Sequence, residues 1–151
     1  MGRAARRSDR PALAAPHRPP ADPNAAIAWL LRDMAAAQSS RQKQFGYKRA
    51  ASAVFWLDYP LSPGALTRKV PGLGPASLRI ISEFLATGTS ATVERAVAAA
   101  ETPATRADIN RRRTLRANFL SRAAVLEVLA RPADGTVMPA DYGGDFQMHS
   151  E

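Results

Sequence analysis

The sequence predicts an all-α fold: a compact helical domain of four to five short helices with one helix-hairpin-helix motif, then a long C-terminal helix, with flexible ends. Three observations predict it. Apolar residues are 46% of the 151, but alanine supplies much of that share, and only two Trp, three Tyr and five Phe are present. Such a composition suits a thin, close-packed helical core and argues against a large sheet. The bulkier apolar residues recur at spacings of three and four. Helix start and stop residues punctuate the chain between these runs.

Residues 1–23 hold five arginines and five prolines with almost no bulky apolar side chains. They cannot bury enough surface to offset the entropy of ordering, and read as a disordered basic arm. Asn24 supplies N-cap chemistry ahead of Ile27, Leu30, Leu31 and Met34, so a first helix is expected from about Ala25 to Ala37. Ser39 and Ser40 break it. A second helix is expected from Arg41 to Trp56, with Tyr47, Ala50, Ala51, Val54 and Phe55 facing inward, Trp56 also packed in the core, and Arg41, Lys43, Lys48 and Arg49 outside. Ser62-Pro63 reads as N-cap plus first helical residue of a short helix through Thr67. Pro75 opens the next helix, in which Leu78, Ile81, Phe84 and Leu85 form the inward stripe until Gly88 supplies a left-handed stop.

A further helix is expected over residues 91–100. Thr105 with Asp108 resembles a capping box, and Leu115, Phe119, Ala123, Leu126 and Ala130 extend one stripe toward Pro132, the long C-terminal helix. Val125, Val128 and Leu129 widen its apolar side, as if it packs between two surfaces. After Arg131 the period is lost among Pro132, Gly135, Pro139, Gly143 and Gly144, which reads as a linker. The expected organisation is therefore a basic arm over 1–23, a helix-hairpin-helix domain over 24–101, a basic helical extension over 102–131, and a linker with the start of another domain over 132–151.

The formal charge of +8 and a pI of about 11 make a polyanion the first partner to consider, because a cationic surface gains free energy by releasing counterions from phosphates. The absence of cysteine excludes disulfides, thiol nucleophiles and cysteine-bound zinc. No apolar run reaches the length of a membrane span, and the basic N-terminus lacks the apolar segment of a signal peptide, so the expected location is cytoplasmic and no membrane partner is expected; an organellar transit peptide is the alternative.

The most informative stretch runs from Arg68 to Ile81. A short helix, a glycine-bounded bend and a second helix bring consecutive backbone N–H groups to a helix N-terminus, where free donors and partial positive charge suit a phosphate. Gly72 and Gly74 let a phosphate approach where a Cβ would interfere, and one or both need positive φ. Leu73 pins the bend to the core. A plain interhelical turn needs only the Gly-Leu-Gly core. The longer pattern, with apolar Val70, Leu78 and Ile81 and basic Arg68, Lys69 and Arg79, favours a phosphate clamp that includes the amides of Ala76 and Ser77. Arg79, Lys48 and Arg49 read equally as phosphate contacts or solvated charges. Tyr47 reads as a core residue or as a stacking platform for a base.

Asn24 to about Val97 resembles the amino-terminal helix-hairpin-helix domain of family X (beta-like) DNA polymerases. The resemblance is carried by Tyr47-Lys48-Arg49-Ala50-Ala51-Ser52, Val70-Pro71-Gly72-Leu73-Gly74 and Glu83-Phe84-Leu85-Ala86-Thr87-Gly88, in the family's order and spacing. It implies non-sequence-specific binding of the DNA backbone, a role in DNA repair, and a monovalent cation (K+ or Na+) on the main-chain carbonyls of Arg68, Val70 and Leu73. Lys43, Tyr47 and Arg68 match the family's phosphate-pocket positions, whereas Ala76 and Thr92 replace basic residues. The family's deoxyribose-phosphate lyase lysine falls on Ile80, which has no amine to form a Schiff base. No catalytic residue is therefore expected in this chain, and lyase chemistry would need Lys69 or Lys48 as an improvised nucleophile.

Arg111, Arg112, Arg113 and Arg116 are expected near the start of the last helix, where the dipole disfavours cations unless DNA, an acidic neighbour or solvent compensates. Residues Tyr142 to Glu151 resemble the first motif of PHP (polymerase and histidinol phosphatase) phosphoesterase domains. That resemblance implies His149 as a metal ligand, with Gln147 in place of the other histidine, and a downstream PHP-like domain in a longer parent protein. No other histidine or carboxylate cluster points to a metal-hydrolysis site. The leading reading is a DNA-binding module; a lyase and a protein-interaction or structural domain stand as alternatives.

Overall fold

The computed structural model describes residues 22–67, 69–131 and 138. Six α-helices and one 3-10 helix account for the regular structure among them, and no strand occurs. They are α1 (Pro23–Ala36), α2 (Arg41–Phe55), the 3-10 helix η1 (Pro63–Thr67), α3 (Pro75–Thr87), α4 (Ala91–Ala98), α5 (Pro103–Arg116) and α6 (Arg122–Ala130). No helix among the described residues is long and apolar enough to cross a membrane.

α1 is the hub, packing mainly on α2 and also on α3, α4 and α5. Ile27 and Leu31 from α1, Val54 from α2, Ile80 and Ile81 from α3, Val93 from α4 and Ile109 from α5 are all fully buried. Each such aliphatic side chain contributes about 1.5–3 kcal/mol. Ala50 and Ala51 let α2 approach α1 closely, so the alanine-rich composition is spent on helix contact.

The start of α1 corrects one expectation. Asp22, not Asn24, is the N-cap: its Oδ1 accepts from the Ala25 amide at 2.9 Å, and Pro23 takes the first helical position. Asn24 is the second residue of the helix and is fully buried. Its side chain donates to the Tyr59 carbonyl (2.9 Å) and accepts from the Leu61 amide (2.7 Å), which fastens the loop before η1 to α1. The Asp22 carboxylate also accepts from the Ser121 amide (2.6 Å) and hydroxyl (2.8 Å), and Ser121 is itself the N-cap of α6. One carboxylate thus serves the N-termini of two helices.

The long C-terminal helix is in fact two. α5 begins earlier than expected, with Thr102 accepting from the Thr105 amide at 3.1 Å, so no capping box forms at Thr105; Asp108 instead pairs with Arg111 and Arg112. The helix stops at Arg116, and Ser121 restarts it as α6 because its hydroxyl caps the Ala124 amide. The break rotates the two halves of the anticipated stripe out of register. Ala123 is buried, while Leu115, Phe119 and Leu126 are exposed. Two further inward assignments fail: Leu78 is surface-exposed, its place in the α3 core taken by Ser77, Ile80 and Ile81, and Trp56 is exposed beyond the end of α2.

The arginine cluster is also relocated by this shift. Arg113 and Arg116 lie in the last turn of α5, where the dipole favours them. Both reach Asp33 of α1, which is only 2% exposed: Arg113 Nε at 2.6 Å and Arg116 Nη1 at 2.8 Å. Arg113 adds Glu94 of α4 at 2.7 Å, and Arg116 lies over the Trp29 ring, 5.5 Å from its centroid. The acidic compensation expected from a neighbour comes from within the chain, and it ties α5 to α1 and α4.

Glu83 anchors the α3–α4 junction. Its carboxylate accepts from the Thr92 hydroxyl, the Ser90 hydroxyl (2.7 Å) and the Thr92 amide (3.1 Å). These donors, with the Thr92 hydroxyl foremost, hold its pKa down from 4.5 to about 2. A depressed carboxylate pKa means stability present above pH 4.5 and lost as the pH falls toward 2. Glu83→Gln is expected to lower the thermal midpoint at neutral pH and to narrow its gap to the unsubstituted chain on acidification through that window; parallel curves would contradict this role.

Candidate nucleic-acid interface

The bend between η1 and α3 is built from Val70 to Gly74. The Val70 carbonyl accepts from the Leu73 amide at 3.2 Å, Pro71 occupies the second position and Gly72 the third with φ +90°. This is the sequence and hydrogen-bond pattern of a type II β-turn, which demands positive φ at its third residue. Space at Gly72 is also tight: a Cβ there would lie 3.3 Å from the Ala53 Cβ, which would have to give by a few tenths of an ångström, and 3.7 Å from Arg49 Cγ. Val70 is buried and Leu73 packs against the core, so the two apolar residues fix the turn from below.

Gly74 differs in kind. It is the N-cap of α3 with ordinary extended angles (φ −104°, ψ 173°), the geometry that a following proline favours. No atom lies within 4 Å of where its Cβ would project. Having no side chain, it leaves the first-turn amides uncapped; those of Ala76 and Ser77 have no acceptor among the described residues, and the Leu78 amide returns to the Gly74 carbonyl at 2.9 Å. Of the two glycines, one makes the turn and the other leaves the helix end open.

Ala76 and Ser77 line a groove of about 700 Å³ between the bend and α2, lined on the α2 side by Lys43, Tyr47 and Arg49. Met34, Gln38 and Gly46 complete it, and none of the lining residues is acidic. Lys43 and Arg49 make no ion pair among the described residues, so their charge is uncompensated in the groove. Tyr47 is half-buried and packs on the core as well as lining the groove. Two amide donors at a helix N-terminus opposite two cations make an anion-binding arrangement.

Of the residues expected at the site, Lys43, Tyr47, Arg49, Gly72, Leu73, Gly74, Ala76 and Ser77 converge on this groove. Lys69 and Arg79 are exposed and do not line it, and Lys48 belongs to a different groove on the other side of α2. Ile80, at the lyase-lysine position, is fully buried core. Arg68 and His149 lie outside the described residues, as do the PHP-like stretch and most of the basic arm. Of the three carbonyls implied for a monovalent cation, Val70 already accepts one hydrogen bond and keeps its second lone pair; all three are hard oxygen donors suited to K+ or Na+. No cluster of three or more His, Cys, Asp or Glu able to hold a metal occurs among the described residues.

Met34, Gln38, Gly46 and Pro75 line the groove without being expected there from the sequence. The spacing puts Met34 in the apolar stripe of α1 and does not show that it also reaches a groove edge. Residues 22–90 match a family model described as a helix-hairpin-helix domain. The match runs from the N-cap of α1 to the N-cap of α4. No curated protein and no solved structure matches the chain.

Proposed function

We propose that the helix-hairpin-helix domain of residues 22–90 binds the phosphate backbone of DNA without reading its sequence. The observation that carries this reading is the groove that brings Ala76 and Ser77, whose helix-start amides are uncapped, together with Lys43 and Arg49 and is lined by no carboxylate. A phosphate there would accept from the amides, and the cations would orient the strand; neither kind of contact touches a base edge. A K+ or Na+ ion on the carbonyls of Arg68, Val70 and Leu73 would add positive charge at the bend.

In the parent protein this module would present DNA to a catalytic domain, in a family X polymerase-like or PHP phosphoesterase protein of DNA repair. The sequence resemblances described above support that placement. Binding is expected to be indifferent to base sequence and steeply dependent on salt. With roughly three or four phosphates neutralised, log K should fall against log salt with a slope of about −3 on duplex DNA. Fluorescence anisotropy titrations on two unrelated duplexes across a salt series measure both properties, and a flat salt response would remove the phosphate-clamp mechanism.

A further inference from the structure

A second basic groove lies on the opposite side of α2, and part of it is built from α5, beyond the matched residues. It encloses about 440 Å³, with Arg32 on its α1 floor, Lys48 on the α2 wall, and Asp108 and Arg112 on the α5 wall. Its one lining carboxylate, Asp108, is already taken by Arg111 at 2.7 Å and Arg112 at 2.6 Å. Arg116 is committed to Asp33. Arg32 reaches only the Ser52 hydroxyl at 3.4 Å, and Lys48 makes no ion pair or hydrogen bond among the described residues. Two cations in one concavity are thus left without a counter-charge, a surplus that a phosphate would neutralise.

Between this groove and the hairpin groove stands the outer face of α2, and Phe45 projects from it. At about 100° per residue, Phe45 falls opposite the buried Ala50 and Val54, and its side chain is 67% exposed. Lys43 and Arg49 belong to the groove on one side of it and Lys48 to the groove on the other. A ring this exposed, on a helix whose apolar face lies elsewhere, adds little buried area to the core. Flanked by cations on both sides, it has the composition of a base-stacking platform.

We infer that a single strand of nucleic acid leaving the hairpin groove crosses α2, stacks a base on Phe45 and seats a further phosphate between Arg32 and Lys48. This rests on the hairpin reading above and extends it to single-stranded substrate. A helix with its side chains is about 10–12 Å across, so the two phosphate sites would be separated by roughly two to four nucleotides. Phe45, Arg32 and Lys48 are surface residues, so their substitution leaves the core untouched.

The test compares the full chain with Arg32→Gln/Lys48→Gln, Phe45→Ala and Gly74→Val, using an oligothymidylate of about sixteen nucleotides and a duplex of the same length. Circular dichroism melts confirm the fold of each variant. The double variant is expected to reduce the salt slope on the single strand by about 0.7, the value for one fewer phosphate contact. Phe45→Ala is expected to weaken single-strand binding about ten-fold with the slope unchanged and duplex binding intact. If both behave like the unsubstituted chain while Gly74→Val loses binding, the second site is refuted and the hairpin reading stands. If the unsubstituted chain shows no salt-dependent binding at all, both are refuted.

Discussion

Gly74→Val is expected to weaken DNA binding by about a hundred-fold or more while leaving the helical fold in place. The Cβ of the new side chain would project into space with no protein atom within 4 Å, on the lining of the hairpin groove. A phosphate could then no longer reach the amides of Ala76 and Ser77. Charge-assisted hydrogen bonds are worth roughly 1.5–3 kcal/mol each, and losing two gives at least that hundred-fold effect. The backbone does not resist the change, because φ −104° and ψ 173° lie in the β region that valine prefers before a proline. Loss of the small capping benefit of glycine costs at most about 1 kcal/mol. Anisotropy titration and a thermal melt on the same sample separate the two effects. Unchanged affinity would show that the phosphate does not lie at this helix end.

Asp33→Ala is expected to destabilise the fold by about 3–5 kcal/mol, the range for removing one partner of a buried ion pair. Asp33 is 2% exposed and accepts from both Arg113 and Arg116, whose side chains are 33% and 13% exposed. Arg113 keeps Glu94, and both guanidiniums keep some access to water, so the lower part of the range applies. Arg116 would also lose its fixed position over Trp29. Urea unfolding followed by circular dichroism measures the change. A loss below about 1 kcal/mol would mean that the three-helix junction is held by packing alone.

Most of the hairpin was legible because its requirements are local. A turn with proline second and glycine third, followed by Gly-Pro at a helix start, specifies its own backbone, and the structure places it at Val70–Pro75. The 3.6-residue period likewise located α1 to α4 to within a few residues at their ends. What failed depended on distant partners. Asn24 has the chemistry of an N-cap, but its use inside the fold is decided by the Tyr59 and Leu61 backbone. The break between α5 and α6 contains no proline or glycine; Ser121 starts a new helix where Asp22, far away in sequence, meets it. Nothing near Arg113 and Arg116 in the sequence chooses among DNA, an acidic neighbour and solvent as their compensation, because Asp33, their counter-charge, sits in the apolar run of α1. Nothing in the local pattern marks Phe45 and Arg32, which gain their proposed role only once α2 stands between the hairpin groove and the groove shared by α1, α2 and α5.

The Asp22–Ser121 contact closes the chain across 99 residues. Closing so long a loop brings an entropic cost that the contact must offset, so α6 is expected to be among the first elements to fray. The carboxylate that starts the domain is therefore also its latch, and releasing α6 leaves the first turn of α1 with one fewer constraint.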